Sequence, residues 1–285
     1  MRPFPHLQYW SDWLTQYWNI VFGRRAAPGD AWLLGPTGQI GKIGESIIGQ
    51  IALAEGLAVV REATAGLIGP DFFYHGAGGE AHPDIVEFYT KTSQYDMDAW
   101  TRWEPVWGIL GRLVDVIFAR RVDQLRLPTD ALATSKGISS EIIQFKDSEG
   151  LCRHTLWLRK LKPAGSVIYA GFYYQVTDSN GEPRVKVVFP LPHGSATVVM
   201  SSGVLDGGRV RLSSAGKRFG DPGFYFVVND RHGGTWIRYL RHFHEFIEVW
   251  ADGAGGIRAD HTMRLWGRLC YSLHYRVLKK ANSER

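Results

Sequence analysis

The sequence predicts an α+β fold in which a helical N-terminal half packs on a large antiparallel meander. That meander curls into a β-barrel or deep cup, lipocalin-like or START-like in outline. Three observations lead there. After Thr134 the apolar period changes from helical to alternating. The alternating segments are joined by short turn signals, Asp147-Ser-Glu-Gly150, Asp178-Ser-Asn-Gly181, Asp206-Gly-Gly208 and Asp252-Gly-Ala-Gly-Gly256. Charge divides at the same place: residues 1–135 carry 11 Lys+Arg against 15 Asp+Glu, and residues 136–285 carry 22 against 13. The division expected is a helical region, 1–135, and an antiparallel barrel or cup, 136–285, attracting each other electrostatically.

The first helix is marked by Leu7, Trp10, Leu14, Trp18 and Val21, a stripe that ends near Phe22 before Gly23 and the breaker Pro28-Gly29. The bland reading packs this stripe on the core; the sharper one, from its Trp and Tyr content, is membrane contact through residues 7–22. A second helix is predicted over Ile40 to Glu55. A third opens at Pro83, where Asp84 and Glu87 suit the positive end of the dipole. A fourth runs from Pro105 to Arg121, with Pro128 beyond its exit. Ten strands follow: Ser139 to Lys146, Arg153 to Lys160, Ser166 to Val176, Arg184 to Phe189, Ala196 to Ser201, Arg209 to Ser213, Phe224 to Asn229, Phe246 to Ala251, Ile257 to Trp266 and Leu269 to Val277. Consecutive short-turn strands in this number close on themselves to remove exposed edges. Trp236 to Trp250 has helical spacing as well, and strand is favoured only from Phe246.

Composition narrows the function classes. An apolar share of 45% and a charged share of 21% over 285 residues describe a folded protein. No run of 18 apolar residues occurs, no secretory signal is visible, and Cys152 and Cys270 are too few for a disulfide scaffold, so a cytoplasmic protein is expected. The net charge of +5 lies in arginines that alternate singly with apolar residues, as on the wet face of strands, and no nucleic-acid partner is expected. The 11 Trp, 12 Tyr and 14 Phe supply rigid surface for a core or for a pocket that receives an apolar ligand.

Gly35-Pro-Thr-Gly38-Gln-Ile-Gly41, between an apolar stretch and a helix, has the spacing of a dinucleotide loop, but the βαβ units such a loop needs do not follow it. His242-Phe-His244-Glu245 offers two imidazoles and a carboxylate with no third ligand placed by spacing, so no metal is expected. The last hairpin is more informative. With Asp252 to Gly256 as its loop, Ile247 opposes His261 and Glu245 opposes Met263, so His261 is the polar exception on an apolar face and Glu245 its diagonal neighbour. On that face burial draws the histidine towards neutrality while the carboxylate keeps its charge, which predicts His261 as a general base or acid oriented by Glu245. The alternative is a structural histidine. Trp157, Tyr173, Tyr271 and Trp266 are candidate ligand contacts on the strands. Arg218 and Asp221 are candidates in the long loop Ser213 to Gly223, read as a lid or as a solvated turn.

The order Phe88-Tyr89-x-x-Thr92, Trp100, Arg121-x-x-Gln124-Leu125-x-Leu127-Pro128, Phe189-Pro-Leu-Pro192 and His261-x-Met263-x-x-Trp266-Gly267 resembles the YndJ-like family over residues 82–285. That family is uncharacterised, and the resemblance implies neither an activity nor catalytic residues.

The expectation for function is a cup that binds a hydrophobic small molecule, with a lean towards a cofactor-independent acid/base enzyme of cyclase, isomerase or hydratase type. A non-catalytic lipid or pigment carrier is the alternative. An NAD(P)-dependent oxidoreductase using Gly35, Gly38 and Gly41 is a further one.

Overall fold

The computed structural model describes residues 10–39, 43–75, 79–114, 124, 137–162 and 165–280. In chain order the first part forms α1 (Trp10–Phe22), β1 (Arg24–Arg25), α2 (Ile47–Glu55), β2 (Ala58–Val60), α3 (Pro83–Thr90), β3 (Tyr95–Trp103) and α4 (Pro105–Val114). The rest is β4 (Ile138–Lys146), β5 (Cys152–Leu161), β6 (Val167–Thr177), β7 (Pro183–Leu191), β8 (Gly194–Leu205), β9 (Arg209–Ser213), β10 (Gly223–Asn229), β11 (Thr235–Tyr239), β12 (Phe243–Ala251), β13 (Ile257–Leu265) and β14 (Arg268–Lys279). The predicted continuation of the fourth helix to Arg121, Gly41 of the glycine run, and Arg121, Leu125, Leu127 and Pro128 of the resemblance lie outside the described residues.

Ten strands close a barrel in the ring order β3, β4, β5, β6, β7, β8, β9, β12, β13, β14, and every pairing in it is antiparallel. Closure turns on the length of β8. Its second half pairs with β9 inside the ring, while its first half pairs with β10, from which β11 and β1 continue as an outer flap. A lipocalin closes with eight strands, so the likeness predicted in outline does not extend to strand number.

The N-terminal half is not a helical unit. It contributes a few short helices and also β3, which seals the ring between β4 and β14. Tyr95-Asp-Met-Asp98-Ala alternates with burial, and its inward residues Tyr95, Met97 and Ala99 are 4%, 3% and 1% exposed. β11 replaces the helical alternative for Trp236 onward: pairing with β10 satisfies its backbone, and the apolar spacing served two faces of a strand instead of one face of a helix.

Helices cover selected parts of the barrel. Ile47 and Ile51 of α2, with Ile43, meet Ile143, Phe145, Leu156, Leu158 and Phe172 on the outside of β4, β5 and β6. These strands are therefore buried on both faces. Residues 65–75 and α3 plug one end. Gly66 makes that closure close, since a Cβ there would lie 2.3 Å from the Thr90 carbonyl, and Leu67 N donates to Tyr89 O at 2.8 Å. His82 caps α3 through Nδ1, which accepts from Asp84 N at 3.3 Å, and its own N donates to Gly208 O in the β8–β9 turn. Elsewhere the exterior is charged: Glu248 ties Arg209 and Arg211 together, and Asp260 faces His274. Apolar inside with charges outside is the reverse of a lipid-facing barrel.

α1 packs in the opposite sense to its predicted stripe. Asp12, Gln16, Asn19 and Ile20 are buried against the flap and neighbouring turns, while Trp13, Leu14, Tyr17, Trp18, Val21 and Phe22 are exposed, Phe22 at 67%. Gln16 Nε2 donates to Pro192 O, and Arg238 of β11 lies over the Trp18 ring at 3.4 Å.

Candidate functional site

Inward-facing side chains of the ring leave a cavity of about 310 Å³. Its wall is almost wholly apolar, with Phe88 and Tyr89 of α3 at the plugged end and Val187, Val198, Leu212 and Leu273 among the strand residues. Among the described residues, the ionisable side chains that line it are Tyr89, Arg159, Tyr169, Tyr173, Glu245, His261 and Tyr275.

Two of these come from the β12–β13 hairpin. Its register is the one the Asp252 to Gly256 turn predicts, with Ile247 opposite His261 and Glu245 opposite Met263. Both side chains point inward, and His261 Nε2 lies 4.0 Å from Glu245 Oε2. At that distance they are neighbours without a hydrogen bond, and His261 Nε2 has no hydrogen-bond partner. Burial pushes Glu245 up to about 7. Burial, with the Arg159 charge adding to it, pushes His261 down to about 3. The expected order of ionisation is therefore exchanged. The imidazole is neutral across the physiological range, and the carboxyl group is the one that titrates near neutral pH.

Arg159 was missed by sequence reasoning. It sits on β5 two residues from Trp157, hence on the same face, and the guanidinium lies 3.6 Å from the Trp157 ring centroid, 4.6 Å from Tyr169 and 5.3 Å from Tyr275. Its Nη1 donates to Tyr275 Oη at 3.3 Å, and its Nε has no partner. Among the described residues no carboxylate lies within ion-pairing distance of it. Stacking on a desolvated ring contributes about 2 kcal/mol, whereas removing a guanidinium from water costs several. Rings alone leave this cation under-compensated. The Tyr169 and Tyr173 hydroxyls meet at 3.3 Å beside it, and burial pushes both phenols up, so neither supplies a negative charge.

The remaining candidates scatter. Trp157 and Tyr173 line the cavity, their rings 5.5 Å apart, and Trp157 Nε1 donates to Ser140 Oγ at 2.7 Å. Tyr271 is fully buried but does not line the cavity, and it packs on Trp103 at 4.3 Å. Trp266 lies in the β13–β14 turn at φ 51° and is 66% exposed, beside Trp107. Arg218 and Asp221 do not reach the cavity: the Asp221 carboxylate accepts from the backbone N of Lys217 and Arg218, while Phe219 packs on Tyr225 in the flap. That loop is a self-satisfied turn, because Asp221 closes it on its own backbone. His244 faces away from Glu245 and contacts Arg241 O, as strand parity requires. Gly35 and Gly38 border a separate surface cleft with Glu55, His154 and His193, and among the described residues no βαβ unit surrounds them.

No family model matches the chain, and no solved structure does. Over 201 residues the chain is 27% identical to the uncharacterized membrane protein YndJ of Bacillus subtilis (strain 168), which covers 68% of this chain and 34% of that protein. The chain thus spans about a third of the length of the curated relative it matches. The resemblance seen in the motifs is supported, and the expected cytoplasmic location is overturned, since the relative is a membrane protein. Among the described residues no helix is long and apolar enough to cross a membrane.

Proposed function

We propose that the barrel is a container for a hydrophobic small molecule. The observation that carries this reading is the cavity of about 310 Å³, apolar in its walls and polar at a few convergent groups. Its volume lies at the lower end of the roughly 300 to 1,000 Å³ typical of ligand pockets. The resemblance to lipocalins is one of use: a closed sheet around an apolar ligand. Native mass spectrometry of protein purified without added ligand, followed by solvent extraction, is expected to recover an apolar molecule. N-phenylnaphthylamine, a neutral apolar fluorophore, should bind the emptied protein at one site with enhanced emission. Failure of both would overturn the container reading.

The Glu245 and His261 pair favours a second reading, chemistry on the bound molecule. A carboxyl group near its midpoint beside a neutral imidazole can give and take a proton without a cofactor, as isomerisation, cyclisation or hydration requires. In that reading Glu245 is the proton-transfer group and His261 positions it or the substrate. The carrier reading needs no such pair.

We also propose that α1 rests on an anionic membrane surface. Its buried face is the polar one, and its exposed face carries Trp13, Tyr17 and Trp18, residues suited to the bilayer interface. Arg25 is exposed just past its C-terminal end, and Arg238 lies over Trp18, so the charge beside this face is complementary to acidic headgroups. The membrane-protein relative is consistent with such contact. Full-length chain is expected to float with vesicles containing phosphatidylserine, and Trp13→Ser combined with Tyr17→Ser, both at exposed positions, should reduce flotation at least tenfold. Flotation that survives this double substitution, or none by the unaltered chain, would refute the assignment.

A further inference from the structure

We infer that the barrel cavity selects an amphiphile with a carboxylate headgroup, which Arg159 holds against Tyr169, Tyr173 and Tyr275 while the apolar tail fills the remaining space. This inference rests on the container reading and adds the chemical class of the ligand.

Arg159 is 7% exposed, yet its Nε has no acceptor and its one hydrogen bond runs to a phenol. The aromatic rings around it engage the face of the guanidinium and leave its N–H edge without an anion. A planar carboxylate is the group that meets a guanidinium edge with two parallel hydrogen bonds. The Tyr169 and Tyr173 hydroxyls, 3.3 Å apart beside the cation, add O–H donors of the sort a carboxylate accepts. Away from Arg159 and the tyrosines, Glu245 and His261 are the polar groups, and the remaining lining, such as Val187, Val198, Leu212 and Leu273, is apolar, which fits a tail.

Charge balance favours one negative charge over two. The groups facing the cavity are Arg159, His261, Glu245 and the phenols of Tyr89, Tyr169, Tyr173 and Tyr275. With His261 neutral and the phenols of Tyr89, Tyr169 and Tyr173 protonated, Arg159 is the positive charge that faces the cavity while Glu245 is protonated. A monoanion neutralises it, and a phosphate dianion would leave an excess buried negative charge.

Dodecanoate and its uncharged counterpart dodecanol, titrated separately into the emptied full-length chain at pH 6 by displacement of N-phenylnaphthylamine, test the inference. Dodecanoate is expected to bind at least tenfold more tightly than dodecanol. Arg159→Met should abolish that preference while keeping dodecanol affinity within about threefold, and Arg159→Lys should restore part of it. Equal affinity of the two probes for the unaltered chain, a comparison that needs no variant, would overturn the carboxylate inference and leave the container standing. So would a preference that survives Arg159→Met. If neither probe displaces the bound fluorophore, the carboxylate inference falls alone; if the fluorophore fails to bind and extraction recovers no apolar molecule, the container reading falls with it.

Discussion

Glu245→Gln is expected to stabilise the protein at pH 8 by on the order of 3 kcal/mol, and to leave its stability at pH 4 unchanged. The sign follows from linkage. Glu245 ionises near 4.5 when unfolded and near 7 when folded, so the folded state holds a proton that the unfolded state has lost between those values. Stability from this group is full below 4.5 and declines as pH rises through 7; Gln keeps the neutral form throughout. His261 acts oppositely. Its folded value of about 3 lies below the ordinary 6.5, so acidification through that window protonates the unfolded chain first and destabilises the fold. In the native protein the two contributions oppose each other between about 4.5 and 6.5, giving a flat profile from this pair. In Glu245→Gln the histidine acts alone, and stability should fall as pH drops below 6.5. Urea unfolding at pH 4, 6 and 8 measures both profiles. An equal increment at pH 4 and pH 8 would mean a packing effect, and destabilisation at pH 8 would mean that the carboxylate has a partner in the folded protein.

Ala259→Phe is expected to weaken N-phenylnaphthylamine binding at least tenfold, about 1.4 kcal/mol, without unfolding the barrel. Ala259 is a small residue on the cavity side of β13, between Val249 of β12 and Tyr275 of β14 in the sheet. A phenyl ring there extends into space now empty, so the overpacking cost of about 1 to 3 kcal/mol falls at the low end. Arg258→Ala, one residue away and on the opposite face of the sheet, should leave binding unchanged. Equal affinity of Ala259→Phe and the unaltered chain would place the fluorophore outside the barrel.

Ten of the eleven strands described after Thr134, all but β11, were legible in the sequence, with their turns and the β12–β13 register. Each rests on local chemistry: Asp and Gly specify tight turns, and a fixed turn length sets which residues face each other. Inward placement of Glu245 and His261 followed from the same register. What the sequence left undecided depends on contacts between distant segments. β3 reads as a charged and aromatic stretch until β14 and β4 supply its backbone partners. Arg159 was concealed because β5 is covered outside by α2 and lies against the core inside, which erases the alternation that separates a wet face from a dry one. The α1 stripe gave the period of a helix without its orientation, and the flap took the polar face. Protonation was the least legible property of all. Glu245 and His261 are neighbours by register, but which of them titrates near neutral pH depends on how much water the closed barrel removes and on a guanidinium more than eighty residues away in the chain, and only the tertiary structure fixes both.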